Sequence, residues 1–350
     1  MRDDEPIPMD MDEAFDKHID ICEADDYADD TIYAHRSRLG MFLDWLDEET
    51  SVEETTDLNR RHFQDYRIHR KKEVNKVTLK SDMDTIRVFV RNMEDYGAIS
   101  PGLHEYVRSP SLEGDEGQRS DHLPVERGET ILENLRQYRW ASVEHVLTEL
   151  ILNTGMRIGA AHSLDEDDFL EEEKALRLRH RPDSGTTLKN KSKGERTVAI
   201  ADVVCDAIRD YLDNPERPDD PEDEYGRKPL LASPSGGRYH KNTLRNFIYA
   251  VTRPCVTEGG CPHEDYEPES CQAAQNNNDA CKCPSSKAPH ALRSGALTRQ
   301  IKNEVPKSLI SDRADVSEGV LDDHYAELSE EEQMELRRRW FDEEYSQGSA

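Results

Sequence analysis

Apolar residues between positions 11 and 97 recur at helical spacing. Phe15, Ile19 and Cys22 share one face, and Ile32, Leu39, Phe42, Leu43 and Leu46 share another, with Asp30 and Thr31 as N-cap candidates. A third run, starting near Thr56, carries Leu58, Phe63 and Tyr66. A fourth carries Leu79, Ile86, Val90 and Met93, and Gly97 offers a stop. The pattern predicts a four-helix domain over residues 1–107. Residues 108–124 (RSPSLEGDEGQRSDHLP) lose all periodicity and are rich in Gly, Pro, Ser and charge, which predicts a linker.

From 125 to 350 the period changes along the chain. Helices are predicted near 128–138 and 142–153, the second ending at Thr154-Gly155, with a short helix after Arg157. Residues 175–180 and 186–200 alternate as strands do, with Lys191-Ser192-Lys193-Gly194 as a turn. Asp202 is a cap for a helix through Leu212, and 213–229 is a Pro/Asp-rich acidic loop. Helices resume near 242–252 and 290–303. Ser329 and Glu332 form a capping-box pattern ahead of a last helix carrying Met334, Trp340 and Phe341. The fold class expected is mainly α with a small β-sheet (α+β).

Charge changes this picture. The formal net charge is -29. Such a surface keeps a protein soluble in strong salt, as in a halophile's cytoplasm. It opposes DNA binding only where charges are unscreened, and at molar salt the Debye length is only about 3 Å. No apolar run approaches the roughly 20 residues that span a bilayer. The first residues, MRDDEPIPMD, lack a signal peptide's apolar stretch. A soluble, cytoplasmic protein with no membrane partner is expected. One stretch runs against the acidic background: residues 60–91 hold ten Lys/Arg against four acids. Within it Arg60, Arg61, Arg67, Arg70, Lys71, Lys72, Lys76 and Lys80 are candidate contacts to the phosphates of double-stranded DNA. The alternative is a solvated basic face.

Five short segments carry candidate chemistry, in order: TGMRIGAAHSL (154–164), LKNKSKGERTVAI (188–200), His290-Ala291-Leu292-Arg293, SDRADVS (311–317), and Tyr325 within LDDHYAELS. Cleaving a phosphodiester without metal requires fixed cations around a phosphorus that gains negative charge. Arg suits this because its planar fork matches two phosphate oxygens and stays charged.

Taken together, these segments resemble the tyrosine recombinase (phage integrase) family, and residues 11–97 resemble that family's helical core-binding domain. The resemblance implies a catalytic domain over 125–350, with Arg157 and Arg293 as the phosphate clamp and Tyr325 as the nucleophile that forms a 3′-phosphotyrosyl bond. It also implies that His290 moves protons at the tyrosine oxygen and that Lys191 protonates the leaving 5′-oxygen, with Lys189 and Lys193 as alternatives. Arg313 falls where the family usually carries His or Trp, twelve residues before Tyr325. Ala160 falls where the family favours an acid, so Arg157 must be held by some other group. The activity implied is site-specific recombination, carried out by a homotetramer on two duplexes. The rivals are a topoisomerase of the same chemistry and a catalytically silent DNA-binding protein.

The chain has seven Cys, five of them in a polar insert over 254–284. Cys255, Cys261, His263, Cys271, Cys281 and Cys283 offer ligands for a structural Zn²⁺, which would supply folding energy the insert's few apolar residues cannot. Free thiols and disulfides are the other readings. No cofactor is expected in catalysis.

Overall fold

The computed structural model describes residues 5–113, 122–263, 270–326 and 328–347, side chains of Asp29 and of 340–347 excepted. The expected linker at 108–124 lies partly outside the described residues, at 114–121. The chain divides into two compact units, Met1–Arg119 and Ser120–Ala350.

Unit one is a helical cluster of α1 (Met11–Ala24), α2 (Asp29–Glu49), α3 (Arg60–Arg70) and α4 (Lys76–Asp95). Asp10 caps α1 by accepting from the Asp12 and Glu13 amides, and Asn75 caps α4 through the Thr78 amide. The apolar stripes meet in a core that includes Leu39, Phe42, Phe63, Tyr66, Met83, Ile86, Phe89 and Met93. Each such side chain, fully buried, contributes about 1.5–3 kcal/mol. One carboxylate, Asp82, is buried with them, held by Arg70 at 3.0 Å and Arg38 at 3.6 Å. Two boundaries differ from the sequence pattern. The residues near Thr56 form a 3-10 turn closed by a Glu54–Asp57 capping box, so α3 starts only after the Asn59 cap. Asp30 and Thr31 do not cap α2: its cap position is Ala28, which has no side-chain bond to offer.

Unit two begins with α5 (Val125–Tyr138) and α6 (Val143–Thr154), followed by the short α7 (Ile158–Ser163). A three-stranded antiparallel sheet follows: β1 (Phe169–Leu170), β2 (Ala175–Leu178) and β3 (Arg196–Ala199), in the order β1-β2-β3. Leu176 pairs with Val198, and both are buried. Of the alternating stretch 186–200, the part after the expected turn at 191–194 forms β3, and the part before it forms no strand. Lys191 adopts a positive φ of 52° inside a 3-10 turn over Lys191–Gly194, which breaks the extended run. The remaining helices are α8 (Asp202–Leu212), α9 (Lys241–Val251), α10 (Pro254–Thr257), α11 (Gln272–Gln275), α12 (Pro289–Lys302), α13 (Lys307–Ala314), α14 (Glu318–Ala326) and α15 (Glu330–Gln347).

α6 and α12 pack together and are the most deeply buried helices of the unit. The loop before α9 is tied down by charge. The Asp165 carboxylate accepts from Arg227 at 2.7 Å and Arg238 at 2.5 Å, and Arg238 also reaches Asp223 at 2.9 Å. Ser329 and Glu332 form the expected capping box at the start of α15. The side chains of Trp340 and Phe341, two of the apolar positions expected on that helix, lie outside the described residues. Among the described residues no helix is long and apolar enough to cross a membrane.

Candidate active site

α6 ends at Gly155, whose φ of 68° is the left-handed conformation a helix stop commonly adopts. A side chain there would be strained and would press on Leu297. The chain then turns so that Arg157 becomes the N-cap of α7, in extended conformation. Its guanidinium donates to the Asp315 carboxylate at 2.6 Å, across 158 residues of sequence. This is how Arg157 is held in the absence of an acid at Ala160.

Arg293 comes from the first turns of α12 and is only 3% exposed. It donates to the Gly155 and Ala314 carbonyls, both at 2.7 Å, and more weakly to the Asp315 carbonyl at 3.4 Å. Burial, with the fields of Arg157 and Arg196, pulls its pKa down to about 9, while Asp315 opposes the fall. Arg196 on β3 donates to the Arg313 carbonyl at 2.9 Å. Its pKa is also lowered, by burial first, with Asp315 opposing and Arg157 reinforcing. Asp315 itself caps α13 in the left-handed region, at φ 53°, which Asp tolerates better than most residues. Asn190 donates to its second oxygen at 2.6 Å. Three guanidiniums thus gather around one carboxylate, next to an open cleft of about 320 Å³ lined in part by Asn190, Lys193, Arg196, Asp312 and Asp315.

The other site candidates lie as follows. Lys191 sits in the 3-10 turn next to Asn190. His290 is exposed in the first turn of α12, three residues before Arg293 and so on the same helical face. Arg313 turns elsewhere: it donates to the Ala199 carbonyl at 2.6 Å and to Asn153 at 3.2 Å, bracing α13 against α6 and β3. Tyr325 lies on α14, half-buried against the apolar cluster of Leu297, Ile301, Ile310 and Leu321, with the Lys307 ammonium 5.6 Å from its ring centre. Among the described residues no hydrogen bond joins Tyr325 to Arg157 or Arg293. The sequence reading missed Asp315, Arg196 and Asn190. All three stand inside the quoted segments, but only their packing gives them a role.

On unit one, Arg60, Arg61, Lys71, Lys72 and Lys76 are exposed and Arg67 is half-buried. With 3.6 residues per turn, Arg60, Arg67 and Lys71 fall along one stripe of α3 and its cap. Among the described residues no ion pair is seen at Arg60, Arg61, Arg67, Lys71 or Lys72. Arg70 and Lys80 differ from the basic-face expectation, because both are engaged internally: Arg70 with Asp82 and Glu73, Lys80 with Asp84 at 2.5 Å.

In the Cys-rich insert, Cys283 Sγ lies 3.9 Å from His263 Nε2. The Cys255 thiol is raised by burial, with Cys283, Cys261 and Cys271 adding to the rise against Arg253. Cys281 is exposed, near the Asn278 carbonyl. Among the described residues no three of the insert's donors lie within 4.8 Å of one another.

No family model and no curated protein sequence matches the chain. Solved structures do. The Tn1549 transposon integrase in complex with a circular intermediate DNA matches with a TM-score of 0.62 at 13% identity, covering 93% of this chain and 99% of that one. A lambda integrase dimer bound to a COC′ core site matches with a TM-score of 0.59 at 13% identity, covering 90% and 95%. A lambda integrase tetramer bound to a Holliday junction gives 0.58 at 12% identity, covering 91% and 80%. At these identities the likeness establishes a shared fold.

Proposed function

We propose that this protein is a site-specific recombinase that cuts and rejoins double-stranded DNA through a tyrosine nucleophile. The observation that carries this reading is the crowding of Arg157, Arg196 and Arg293 around Asp315. In a chain of net charge -29, three guanidiniums lie near one carboxylate that only Arg157 contacts, and burial first, then the fields of Arg157 and Arg196, pulls Arg293 down to about 9. Like charges packed this way call for an anion, and a phosphodiester that gains charge as it reacts is the anion their forks fit. The integrases of this fold hold DNA in their solved structures, and the free cations of α3 supply a matching electrostatic face here.

In the proposed reaction the Tyr325 oxygen attacks phosphorus, the bond to the 5′-oxygen breaks, and a 3′-phosphotyrosyl linkage forms. Lys191 gives the leaving 5′-oxygen its proton, and His290 accepts the proton of the tyrosine hydroxyl. Attack by a 5′-hydroxyl on the linkage reverses these steps and rejoins the strand without ATP. Tyr325 must reach the phosphate held by the arginines. α14, which carries it, is lightly tethered by the exposed Lys307–Asp322 ion pair and a small apolar cluster. Exchange between two duplexes calls for a homotetramer. Arg313 serves this reading as a brace and not as a phosphate ligand. The Cys-rich insert before α12 is proposed to fold around a structural zinc with no part in the chemistry.

The position of Tyr325, unbonded to the arginines, favours a second reading: a catalytically silent DNA-binding protein. One assay separates the two. The protein is incubated at high salt with EDTA and a nicked suicide substrate carrying DNA that flanks its own gene. A covalent protein–DNA adduct that is absent in Tyr325→Phe supports strand cleavage. Exchange between two duplexes, as opposed to plasmid relaxation alone, supports recombination. DNA binding with no adduct would end the enzyme reading.

A further inference from the structure

Unit one contains a second cluster of chemistry-bearing side chains that the recombination reading does not use. His18 and Cys22 stand one turn apart on α1, and His35 faces them from α2. All three are buried: His18 and Cys22 are 0% exposed and His35 is 7% exposed. Their donor atoms converge. His18 Nε2 lies 3.0 Å from His35 Nδ1, and Cys22 Sγ lies 3.5 Å from the first and 3.7 Å from the second. Among the described residues this is the only set of three His, Cys or acidic donors within 4.8 Å of one another.

We propose that His18, Cys22 and His35 bind one Zn²⁺ ion that pins α1 to α2. Zinc takes imidazole nitrogen at about 2.0–2.1 Å and thiolate sulfur at about 2.3 Å, in tetrahedral geometry. Ligands on such a tetrahedron stand roughly 3.3 Å (N to N) and 3.5 Å (N to S) apart by that geometry. The N–N separation of 3.0 Å is shorter than its ideal and the N–S separations of 3.5 and 3.7 Å lie at or just above theirs, so the ion needs only small side-chain shifts to sit among them.

The surroundings match as well. His18 Nδ1, the nitrogen away from the cluster, is 3.2 Å from Asn92 Nδ2. Metal at Nε2 requires that amide to turn over, which puts its oxygen where it accepts the Nδ1–H. A metal-bound histidine almost always gives its second N–H to such an outer partner. Phe89 meets the His18 ring edge-on at 5.6 Å, and Tyr27 meets the His35 ring at 5.8 Å, which helps to keep bulk water out. The acidic Glu23 and Asp25 lie near Cys22 and offset part of the ion's charge. Three protein ligands leave one coordination position for water.

The test uses the full-length protein, freed of metal by chelation and titrated with Zn²⁺ alone, and it does not depend on recombinase activity. Long-range ¹H–¹⁵N spectra resolve each imidazole, so His18 and His35 are read separately from His263 in the Cys-rich insert. The proposal predicts that His18 Nε2 and His35 Nδ1 move to metal-bound positions by one equivalent at this site. Cys22→Ser and His35→Gln should each weaken that binding at least tenfold, whereas Cys255→Ser with Cys283→Ser should leave it within about twofold. With Co²⁺, the thiolate charge-transfer band assigned to this site should persist in the insert double variant and vanish in Cys22→Ser. His18 and His35 resonances that stay unmoved through several equivalents of Zn²⁺ in the wild-type protein would overturn the proposal, without reliance on the folding of any variant.

Discussion

At position 315 a carboxylate sits among guanidiniums that the proposed reaction needs for phosphate, and that double role can be tested. Asp315 holds Arg157 at 2.6 Å and is itself oriented by Asn190. It also opposes the downward pull on the pKa values of Arg293 and Arg196. Converting it to Asn keeps the size, the left-handed turn and one acceptor, but removes the charge that fixes the Arg157 fork. A fork displaced by about 1 Å costs on the order of 100-fold in rate. Asp315→Asn is therefore expected to slow adduct formation by roughly 10–100-fold through misplacement of Arg157. DNA affinity should stay level or rise, because a negative charge beside the bound phosphate is lost. Single-turnover cleavage at saturating protein, alongside a binding isotherm, reads the two effects apart. Equal losses in binding and in rate would show Asp315 to be a structural prop only.

Among the elements, α12 carries His290 and Arg293, and its packing depends on a residue with no side chain. A Cβ on Gly295 would run into the Leu123 carbonyl oxygen, a backbone atom fixed by the Leu123–Ala291 hydrogen bond. Overpacking against backbone typically costs about 1–3 kcal/mol. Gly295→Ala should lose about that much in denaturant unfolding, and its adduct yield should fall as α12 is pushed off Leu123. A variant with unchanged stability would mean that α12 is free to shift. The elements themselves were largely legible in the sequence, for a physical reason. Each long helix buries one stripe, and a stripe writes a 3.6-residue period, as Leu79, Ile86, Val90 and Met93 do on α4. Boundaries set by turn chemistry were not legible. The capping box at Glu54–Asp57 holds a 3-10 turn where a helix was expected, whereas the turn expected at Lys191–Gly194 does form, as a 3-10 turn with a positive φ at Lys191. Arg157 and Arg293 were singled out from short local segments, and the fold brings both near Asp315. Asp315 was not, since the partner that gives it meaning lies 158 residues away and no local period records the pairing. For the same reason Cys22 read as one more apolar position on α1. Only the fold sets His35 opposite it.

For the molecule as a whole, the net charge of -29 must be reconciled with the DNA partner proposed above. Basic side chains of unit one are concentrated near α3, and in unit two Arg157, Arg196 and Arg293 lie near Asp315 while Arg227 and Arg238 hold Asp165, so much of the remaining acidic surface repels itself. At 0.01 M salt the Debye length is about 30 Å, long enough for charges across a whole domain to feel one another, whereas at 1 M it is about 3 Å and only contacting pairs remain. Self-repulsion of this kind destabilises the compact state. The thermal midpoint is therefore expected to climb as KCl is raised from about 0.05 M and to level off near 1 M, where screening is nearly complete. A specific ion effect would behave differently, continuing to rise past 1 M and differing between KCl and NaCl. Replacing exposed acids of 213–229 with Ser or Asn should raise the low-salt midpoint while leaving the plateau in place. A midpoint that is flat or falls with KCl would show that the acidic surface is not what limits stability. Salt also acts on the partner, because each phosphate contact weakens as counterions become plentiful. On the proposed function, a protein stabilised by salt that must bind DNA against salt relies on geometry at its site. A partly buried arginine cluster, less screened than the surface, is the kind of contact that would still hold a phosphate when the surface no longer does.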